Sequence, residues 1–195
     1  KKQNQLIRND LDIAIKKVLD HGQYIMGPEV ALLEEELCSY TQSKYCISCA
    51  NGTDAISLVL MSWDVSEGDA IFLPDFTYVA TAETIALLGA TPFFVDVDRS
   101  SFNLDPESLK KAITVSKKAG MNPKAVITVE LFGNPSDYDS INEIAKSENL
   151  KLMIDAAQGF GGIYKESYVG SYADATTTSF FPAKPLGCYG DGGAI

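Results

Sequence analysis

One lysine in the C-terminal part of the chain lies in a setting that suggests covalent chemistry. Lys184 stands in the segment SFFPAKPLG, five residues after Ser179 and directly before a proline. A lysine amine can form a Schiff base with an aldehyde, but an ordinary lysine, with a pKa of about 10.4, is mostly protonated at neutral pH. Imine chemistry requires the neutral amine, so a shielded position favours it. The alternative is an exposed loop lysine, which is the commoner case for any single lysine.

A second candidate group is the carboxylate that ends the apolar segment LKLMID. Asp155 at this position could cap a helix, or it could face a ring nitrogen and keep that nitrogen protonated. An ion pair across a short, shielded gap favours a pyridinium. Gln158, three residues further on, could donate a hydrogen bond to a phenolic oxygen. The DAAQ motif alone does not separate the two interpretations of Asp155.

Further segments could hold an anion or a flat ring. In ANGTDA, between a predicted strand and a predicted helix, Gly52 lets the backbone approach a ligand and Thr53 can cap the helix. The free amides at the start of that helix can bind phosphate, although an ordinary capped helix explains the motif equally well. Ser179 ends a predicted strand, where its hydroxyl can hold a phosphate oxygen. Tyr78 in PDFTYVAT could stack on a flat cofactor or pack in the core. Together these groups are the parts of one cofactor site.

Motifs for other kinds of chemistry are weak or missing. Cys46 and Cys49 form one C-x-x-C pair without the second pair that a zinc site needs, and residues three apart in a strand point to opposite faces. We therefore predict no metal site. His21 precedes Gly22, a helix stop signal, so it is interpreted as a helix-end residue rather than a catalytic base. Neither G-x-G-x-x-G nor G-x-x-x-x-G-K-[ST] occurs, which disfavours a dehydrogenase or a nucleotide triphosphatase.

The pattern of apolar residues predicts an α/β fold with a mostly parallel central sheet flanked by helices. Two helices open the chain, at 5–19 and 28–40, and acidic residues 34–36 are expected to face solvent. Strands are then predicted at 45–50, 69–74, 91–97, 124–132, 150–157, 173–181 and 191–195, alternating with helices at 54–63, 79–89, 105–114 and 137–149. Such alternation predicts right-handed crossovers and a ligand site beyond the carboxyl ends of the strands. Residues 114–123 are predicted to form a surface excursion.

Length, charge and hydropathy bound the class of protein. The 195 residues carry a formal net charge of -10, which argues against a broad basic face for nucleic acid. The sequence has no apolar run long enough to span a membrane and no recognisable leader, so we expect a cytoplasmic protein with reduced thiols. The chain begins with Lys1 and ends on the apolar Ile195, and we expect a piece of a longer protein.

Six segments resemble, in order, the pyridoxal-phosphate-dependent nucleotide-sugar aminotransferases, the DegT/DnrJ/StrS family of fold type I. They are GPEV…LEEEL, ANGTDAISLVL, LPDFTYVATAETIALLGATPFFVDVD, LFGNPSDYDSI, IDAAQGFGG and SFFPAKPLGCYGDGGA. The resemblance covers nearly the whole chain and is specific as a combination. It implies that residues 1–195 form the large, cofactor-binding domain, with 1–42 as an N-terminal helical segment. It also implies that a small C-terminal domain is absent from this chain.

The resemblance implies a role for each candidate group. Lys184 matches the lysine that holds pyridoxal 5'-phosphate, Asp155 the acid that faces the pyridine nitrogen, and Gln158 the residue near the phenolic oxygen. The remaining implied cofactor contacts are three phosphate-binding residues and one stacking aromatic: Gly52, Thr53, Ser179 and Tyr78. The lysine favours transamination, because the dehydratase branch of the family carries histidine at this position. Asn134 departs from the pattern, since glutamine is frequent there.

The implied reaction transfers an amino group from an amino acid, often glutamate in this family, to a keto-sugar nucleotide. Three segments look like members that act on UDP-linked 2-acetamido-3-keto-hexuronic acid for surface polysaccharide such as lipopolysaccharide O-antigen: DHGQYIMGPEV, YCISCANGTDA and FFPAKPLGCYGDGGA. The alternatives are a 4-keto-6-deoxy-hexose nucleotide as substrate, or a non-catalytic regulatory or binding protein on the same fold. Ile25, Met26 and Tyr189 are expected to border the substrate. A homodimer with shared active sites is also implied.

Overall fold

The structure of the protein, a computed structural model, describes residues 5–195. The helices are α1 (Arg8–His21), α2 (Pro28–Thr41), α3 (Gly52–Ser62), α4 (Ala80–Leu87), α5 (Pro106–Lys118) and α6 (Tyr138–Ser147). The strands are β1 (Ser48–Cys49), β2 (Asp69–Pro74), β3 (Thr91–Val95), β4 (Asn122–Val129), β5 (Lys151–Asp155), β6 (Ile163–Tyr164), β7 (Ser167–Tyr168), β8 (Ala175–Ser179) and β9 (Gly193–Ala194). Two short 3₁₀ turns lie at Leu131–Gly133 and Val169–Ser171.

Seven strands of this range form one sheet in the order β1-β9-β8-β5-β4-β2-β3. Strands β3, β2, β4, β5 and β8 are parallel to one another, whereas β9 pairs antiparallel with both β8 and β1. Strands β6 and β7 form a separate antiparallel pair. This architecture confirms the predicted α/β fold with a mostly parallel sheet flanked by helices. Because β3 and β4 lie on opposite sides of β2, the strand order reverses there, as it does beside the ligand sites of open α/β sheets.

The sheet is covered on both faces because consecutive apolar residues of its central strands, such as residues 70–73 of β2, point alternately to the two faces. All six residues of β2 are buried. Phe72 of β2 belongs to a core layer with residues of α5 and α6, whereas the adjacent Ile71 belongs to a layer with residues of α3 and α4. The two layers fix the sheet between two pairs of helices, so the loops at the strand ends are presented by a rigid support.

Side-chain caps begin three of these helices. Asp105 accepts a hydrogen bond from the Ser108 amide, with Pro106 at the first helical position, as the sequence predicts for α5. Asp137 caps α6 in the same way. The prediction that Thr53 caps α3 is wrong: the cap is Asn51, whose side-chain oxygen accepts from the Asp54 amide at 2.8 Å.

Three other element predictions are corrected. The first strand is limited to Ser48–Cys49, because it lies at the sheet edge and pairs with the two-residue β9. The surface excursion predicted at 114–123 does not exist as such, since α5 continues to Lys118 and β4 begins at Asn122 after a turn at Gly120. Glu35 and Glu36 are exposed as predicted, but Glu34 is only partly exposed, and its carboxylate accepts hydrogen bonds from the amide and the hydroxyl of Ser48.

The interpretation of His21 as a helix-end residue is confirmed. Gly22 ends α1 in the left-handed region, at φ 70°, and its amide donates to the Val18 carbonyl. Cys46 lies beside an apolar cluster that contains Leu37, and the Cys49 thiol donates to the Asn51 carbonyl. In the part of the chain that the structure describes, no three His, Cys, Asp or Glu side chains are grouped so that they could hold a metal ion. Within residues 5–195 no helix combines the length and the apolar character needed to cross a membrane.

Candidate active site

A cavity of about 810 Å³ lies beyond the carboxyl ends of β5 and β8. It brings together all seven residues that the sequence analysis assigned to a cofactor: Gly52, Thr53, Tyr78, Asp155, Gln158, Ser179 and Lys184. Asp155 and Ser179 are the last residues of their strands, and Gly52 is the first residue of α3. The position agrees with the prediction that the site lies where the strand-end loops converge.

The start of α3 forms one wall of the cavity and presents backbone donors. The first amides of a helix have no partner within the helix. Asn51 takes the Asp54 amide, which leaves the amides of Gly52 and Thr53 at the cavity wall. Together with the positive end of the helix dipole, these groups form a site that favours an anion such as phosphate.

Gly52 is required by the close approach of α3 to β8. A Cβ atom at position 52 would lie 2.7 Å from the Ser179 Cβ, which is too short for a contact between two carbon atoms. The absence of a side chain therefore places the helix start directly beside the Ser179 hydroxyl. Both the hydroxyl and the helix amides can then reach the same anion.

Asp155 is a buried carboxyl group held at both oxygens. Its Oδ1 accepts from the Ala157 amide at 3.1 Å, and its Oδ2 accepts from the Thr81 hydroxyl at 3.2 Å. Burial raises the pKa of this carboxyl, while the two hydrogen bonds and the positive charge of Lys184 act in the opposite direction. A buried acid facing a cavity is suited to pair with a cationic group of a ligand.

Lys184 is half-buried and lines the same cavity as Asp155. A turn between β8 and β9 presents it, in which the Lys184 amide donates to the Phe181 carbonyl at 2.8 Å. This partly shielded position differs from that of an exposed loop lysine. The amine and the buried carboxyl thus belong to one site, as covalent binding of a cationic ring would require.

Gln158 and Tyr78 complete the walls. The side-chain Oε1 of Gln158 accepts from the Phe132 amide at 2.8 Å, so its Nε2 remains as a donor for a ligand oxygen. Tyr78 is 67% exposed and lines the cavity, which excludes the alternative that it packs in the core. Its ring is available for stacking on a flat group.

The three residues expected to border the substrate are not part of this cavity. Ile25, Met26 and Tyr189 are 90%, 78% and 64% exposed, and none lines the cavity within the described chain. Asn134 also lies outside it: its carbonyl accepts from the Asn103 side chain, and its own side chain is directed to the Ser101 carbonyl.

Sequence reasoning missed some cavity residues. Asn51 could have been found, because asparagine directly before a helix is a favoured cap. Phe132 and Asp191 carried no signal that separates them from ordinary loop residues. The same holds for Thr81, which contacts a cavity residue. Thr81 itself does not line the cavity, and its hydroxyl contacts the Asp155 carboxylate.

Comparison with known proteins finds relatives by sequence and by structure. The profile of the DegT/DnrJ/EryC1/StrS aminotransferase family matches residues 5–195. The UDP-2-acetamido-2-deoxy-3-oxo-D-glucuronate aminotransferase of Pseudomonas aeruginosa is 51% identical over 195 residues, which are 100% of this chain and 53% of that protein. The crystal structure of a DegT/DnrJ/EryC1/StrS aminotransferase from Brucella abortus matches with a TM-score of 0.98 and 48% identity, over 100% of this chain and 52% of that one.

A third relative was solved with a ligand. The structure of NtdA from Bacillus subtilis with the bound cofactor PMP matches with a TM-score of 0.87 and 34% identity, over 96% of this chain and 41% of that one. The chain spans about half the length of the curated relatives that it matches. Both the sequence profile and the structural neighbours cover nearly all of it, so the chain belongs to the DegT/DnrJ/EryC1/StrS aminotransferase family.

Proposed function

We propose that the full-length protein is a pyridoxal-5'-phosphate-dependent aminotransferase that acts on a keto-sugar nucleotide. The observation that carries this proposal is the meeting of Lys184 and the buried Asp155 in one cavity, next to an anion-binding helix start. The PMP bound to the Bacillus subtilis relative supports it, because pyridoxamine 5'-phosphate is the amine form of the same cofactor. In this proposal residues 1–195 are the large, cofactor-binding domain and residues 1–42 its N-terminal helical segment, of which residues 1–4 lie outside the described part of the chain.

The residues of the cavity fit this cofactor. The phosphate needs donors, and the amides of Gly52 and Thr53 lie beside the Ser179 hydroxyl. A protonated ring nitrogen needs an anion, and it would lower the pKa of Asp155 in the same direction as the Lys184 charge already does. Each end of the molecule therefore has a matching group in the structure.

The chemistry divides between the cofactor and the protein. Pyridoxal phosphate, when bound, supplies an electrophilic carbonyl carbon and an electron-withdrawing ring. Lys184 would supply the amine that binds this carbon, with loss of the carbonyl oxygen as water, and its free amine would be the group that moves a proton in the site. Asp155 would keep the ring nitrogen protonated, and the Gln158 Nε2, which the Phe132 amide does not use, would donate to the phenolic oxygen. Tyr78 would cover one face of the ring, and the start of α3 would bind the phosphate, since both line the cavity.

The proposed substrate is UDP-2-acetamido-3-keto-hexuronic acid, with glutamate as the amino donor, in the synthesis of a surface polysaccharide such as O-antigen. The name of the Pseudomonas aeruginosa relative supports this sugar. We also place the enzyme in the cytoplasm, in agreement with its four free cysteines.

We further propose a homodimer whose partner chain contributes to each site. Helix α1 has no buried residue. Its apolar side chains and those of the following loop are exposed, which supports a partner chain that covers them: Ile13, Leu19, Ile25 and Met26. Ile25, Met26 and Tyr189 would then border a substrate site that one chain does not complete.

The full-length protein tests the proposal directly. Incubation with pyridoxal phosphate should produce a yellow protein, and borohydride reduction should fix one cofactor on the peptide that contains Lys184, as mass spectrometry would show. A panel of keto-sugar nucleotides with glutamate should then give the highest kcat/KM for the 3-keto-hexuronic acid. A colourless protein after incubation would contradict the enzyme proposal and favour a binding protein, whereas preference for a 4-keto-6-deoxy-hexose would correct the substrate.

A further inference from the structure

Asp155 receives a hydrogen bond from a residue that lies far away in the sequence. The Thr81 hydroxyl, in the first turn of α4, donates to the Asp155 Oδ2 at 3.2 Å, and both side chains are buried. Helix α4 follows β2, whereas Asp155 ends β5, and β4 lies between these two strands. The contact therefore joins two segments of the cavity wall that the sheet does not connect directly.

The same residue is tied to the aromatic wall through its backbone. The Thr81 amide donates to the Tyr78 carbonyl at 3.2 Å. Tyr78 lines the cavity, but Thr81 does not. One threonine thus holds Tyr78 with its backbone and Asp155 with its side chain, without access to the ligand.

A second hydroxyl extends this hydrogen bond into a chain. The Oγ1 atoms of Thr77 and Thr81 are 3.1 Å apart. A hydroxyl has a single proton, so a Thr81 hydroxyl that donates to an ionised Asp155 accepts from Thr77. The resulting chain runs from Thr77 through Thr81 to Asp155, and each donor polarises the next.

We propose that Thr81 is a positioning residue, which holds the Asp155 carboxylate ionised and oriented toward the ring nitrogen of the cofactor. The identity of the ligand in this inference rests on the proposed function, whereas the contact between Thr81 and Asp155 is observed in the structure. The alternative is that Thr81 only fills space in the first turn of α4. Thr81→Val removes the hydroxyl and keeps the shape, and Thr81→Ser keeps the hydroxyl.

Helix α4 offers a matched control. Thr84 is also buried, and its hydroxyl donates to the Thr81 carbonyl instead of a cavity residue. Thr84→Val therefore removes one buried hydroxyl from the same helix without a change at Asp155. A merely structural role of Thr81 predicts similar effects for the two valine variants.

The experiment measures pyridoxal phosphate affinity of the full-length protein and the pH profile of its visible absorbance. We expect Thr81→Val to weaken cofactor binding about tenfold and to shift the pH profile, because a hydrogen bond to a charged group is lost. Thr81→Ser should restore both, and Thr84→Val should stay within about twofold of the parent protein. Equal effects of the two valine variants, or no rescue by serine, would overturn the inference.

A measurement without cofactor separates this inference from the proposed function. Titration of the Asp155 carboxyl by ¹³C NMR should show a higher pKa in Thr81→Val than in the parent protein and no change in Thr84→Val. If the protein binds no pyridoxal phosphate but this difference is found, the proposed function fails and the role of Thr81 toward Asp155 stands. If Thr81→Val does not fold, the same titration is made on Thr77→Val. A smaller rise in the pKa of Asp155 would support the role of Thr81 and the chain of hydroxyls, and an unchanged pKa would contradict both.

Discussion

Asp155 and Glu130 are two buried carboxyl groups in adjacent segments, and only one of them faces the cavity. The Glu130 amide donates to the Asp155 carbonyl at 3.0 Å, so the two residues lie side by side at the ends of β5 and β4. Asp155 has hydrogen-bond donors at both oxygens and the charge of Lys184 nearby. The Glu130 Oε2 has no hydrogen-bond partner among the described residues, and its carboxyl is completely buried.

The difference shows that a shifted pKa alone does not mark a functional group. Burial raises the pKa of Glu130 to about 7, and the neighbouring Asp155 adds to this effect. Burial also raises the pKa of Asp155. The two residues differ in their surroundings, because only Asp155 lines a cavity together with an amine and an anion site. We therefore expect Asp155 to act on a ligand and Glu130 to act on the stability of the fold.

The largest expected effect is the loss of cofactor attachment on substitution of Lys184, which lines the cavity with Asp155. Lys184→Ala should abolish borohydride-dependent attachment of pyridoxal phosphate, because the amine that forms the bond is removed. Glu130→Gln should retain attachment at one cofactor per chain. Mass spectrometry of the reduced proteins measures both. Attachment at another lysine of the Lys184→Ala protein would contradict the assignment.

Substitution of the two carboxyls should give different kinetics. Asp155→Asn should lower kcat/KM for transamination by about 100-fold or more, since a charge that stabilises the reacting system is lost. Glu130→Gln should lower it by no more than about fivefold, because Glu130 does not face the cavity. Steady-state rates on the same substrate provide the comparison. Equal losses in the two variants would remove the distinction between them.

The contribution of Glu130 to the free energy of unfolding should depend on pH more strongly than that of an exposed glutamate. Its pKa is about 7 in the folded chain, against a usual value of 4.5. The protonated form is favoured by folding, so its stabilising contribution is present below pH 4.5 and is lost as pH rises toward 7 and above. The loss is about 3 kcal/mol from the size of this shift. Urea unfolding of the cofactor-free protein should therefore show Glu130→Gln gaining about this much relative to the parent between pH 4.5 and pH 8.

Glu143→Gln is the matched control for this measurement, because Glu143 lies on the exposed face of α6. Its unfolding free energy should follow that of the parent protein at each pH. Parallel profiles for Glu130→Gln and the parent would show that Glu130 ionises as easily in the folded chain as in the unfolded one.

The smallest expected effects are at two helix caps. Asn51→Ala and Asp105→Ala each remove a side chain that accepts from a helix amide, at 2.8 Å and 2.7 Å respectively. Each should cost about 1 kcal/mol of unfolding free energy. Only Asn51→Ala should also weaken cofactor binding, since α3 begins at the cavity and α5 does not. Comparable affinity in both variants would contradict the role of the α3 start.

The fold and most of the cavity could be predicted from the sequence because both depend on local patterns. Apolar strands that alternate with helices indicate a parallel sheet, and the last residues of those strands meet at one edge. Asp155 and Ser179 were found in this way, as strand-end residues of types that can bind a ligand. Lys184 was found from its type and its distance from Ser179.

The contacts of Thr81 and Glu130 could not be predicted in the same way. Each depends on which strands are neighbours, and hydrophobic periodicity does not give the strand order. Thr81 and Asp155, which share a hydrogen bond, are 74 positions apart in the sequence. Glu130 packs against Gly159, where an added Cβ would lie 2.4 Å from the Glu130 Cβ. The end of α5 was missed for a different reason. Its last turn is rich in lysine, which is typical of a loop, although Ser116 in that turn is buried.

The tight contact between Gly52 and Ser179 limits how this protein can be altered. Even a methyl group at position 52 would push the first turn of α3 away from β8, so alanine there would change the spacing of the entire anion site. Any redesign of the anion site must therefore keep glycine at position 52. The same closeness restricts Ser179, because a larger side chain at that position would meet the start of α3 from the other side.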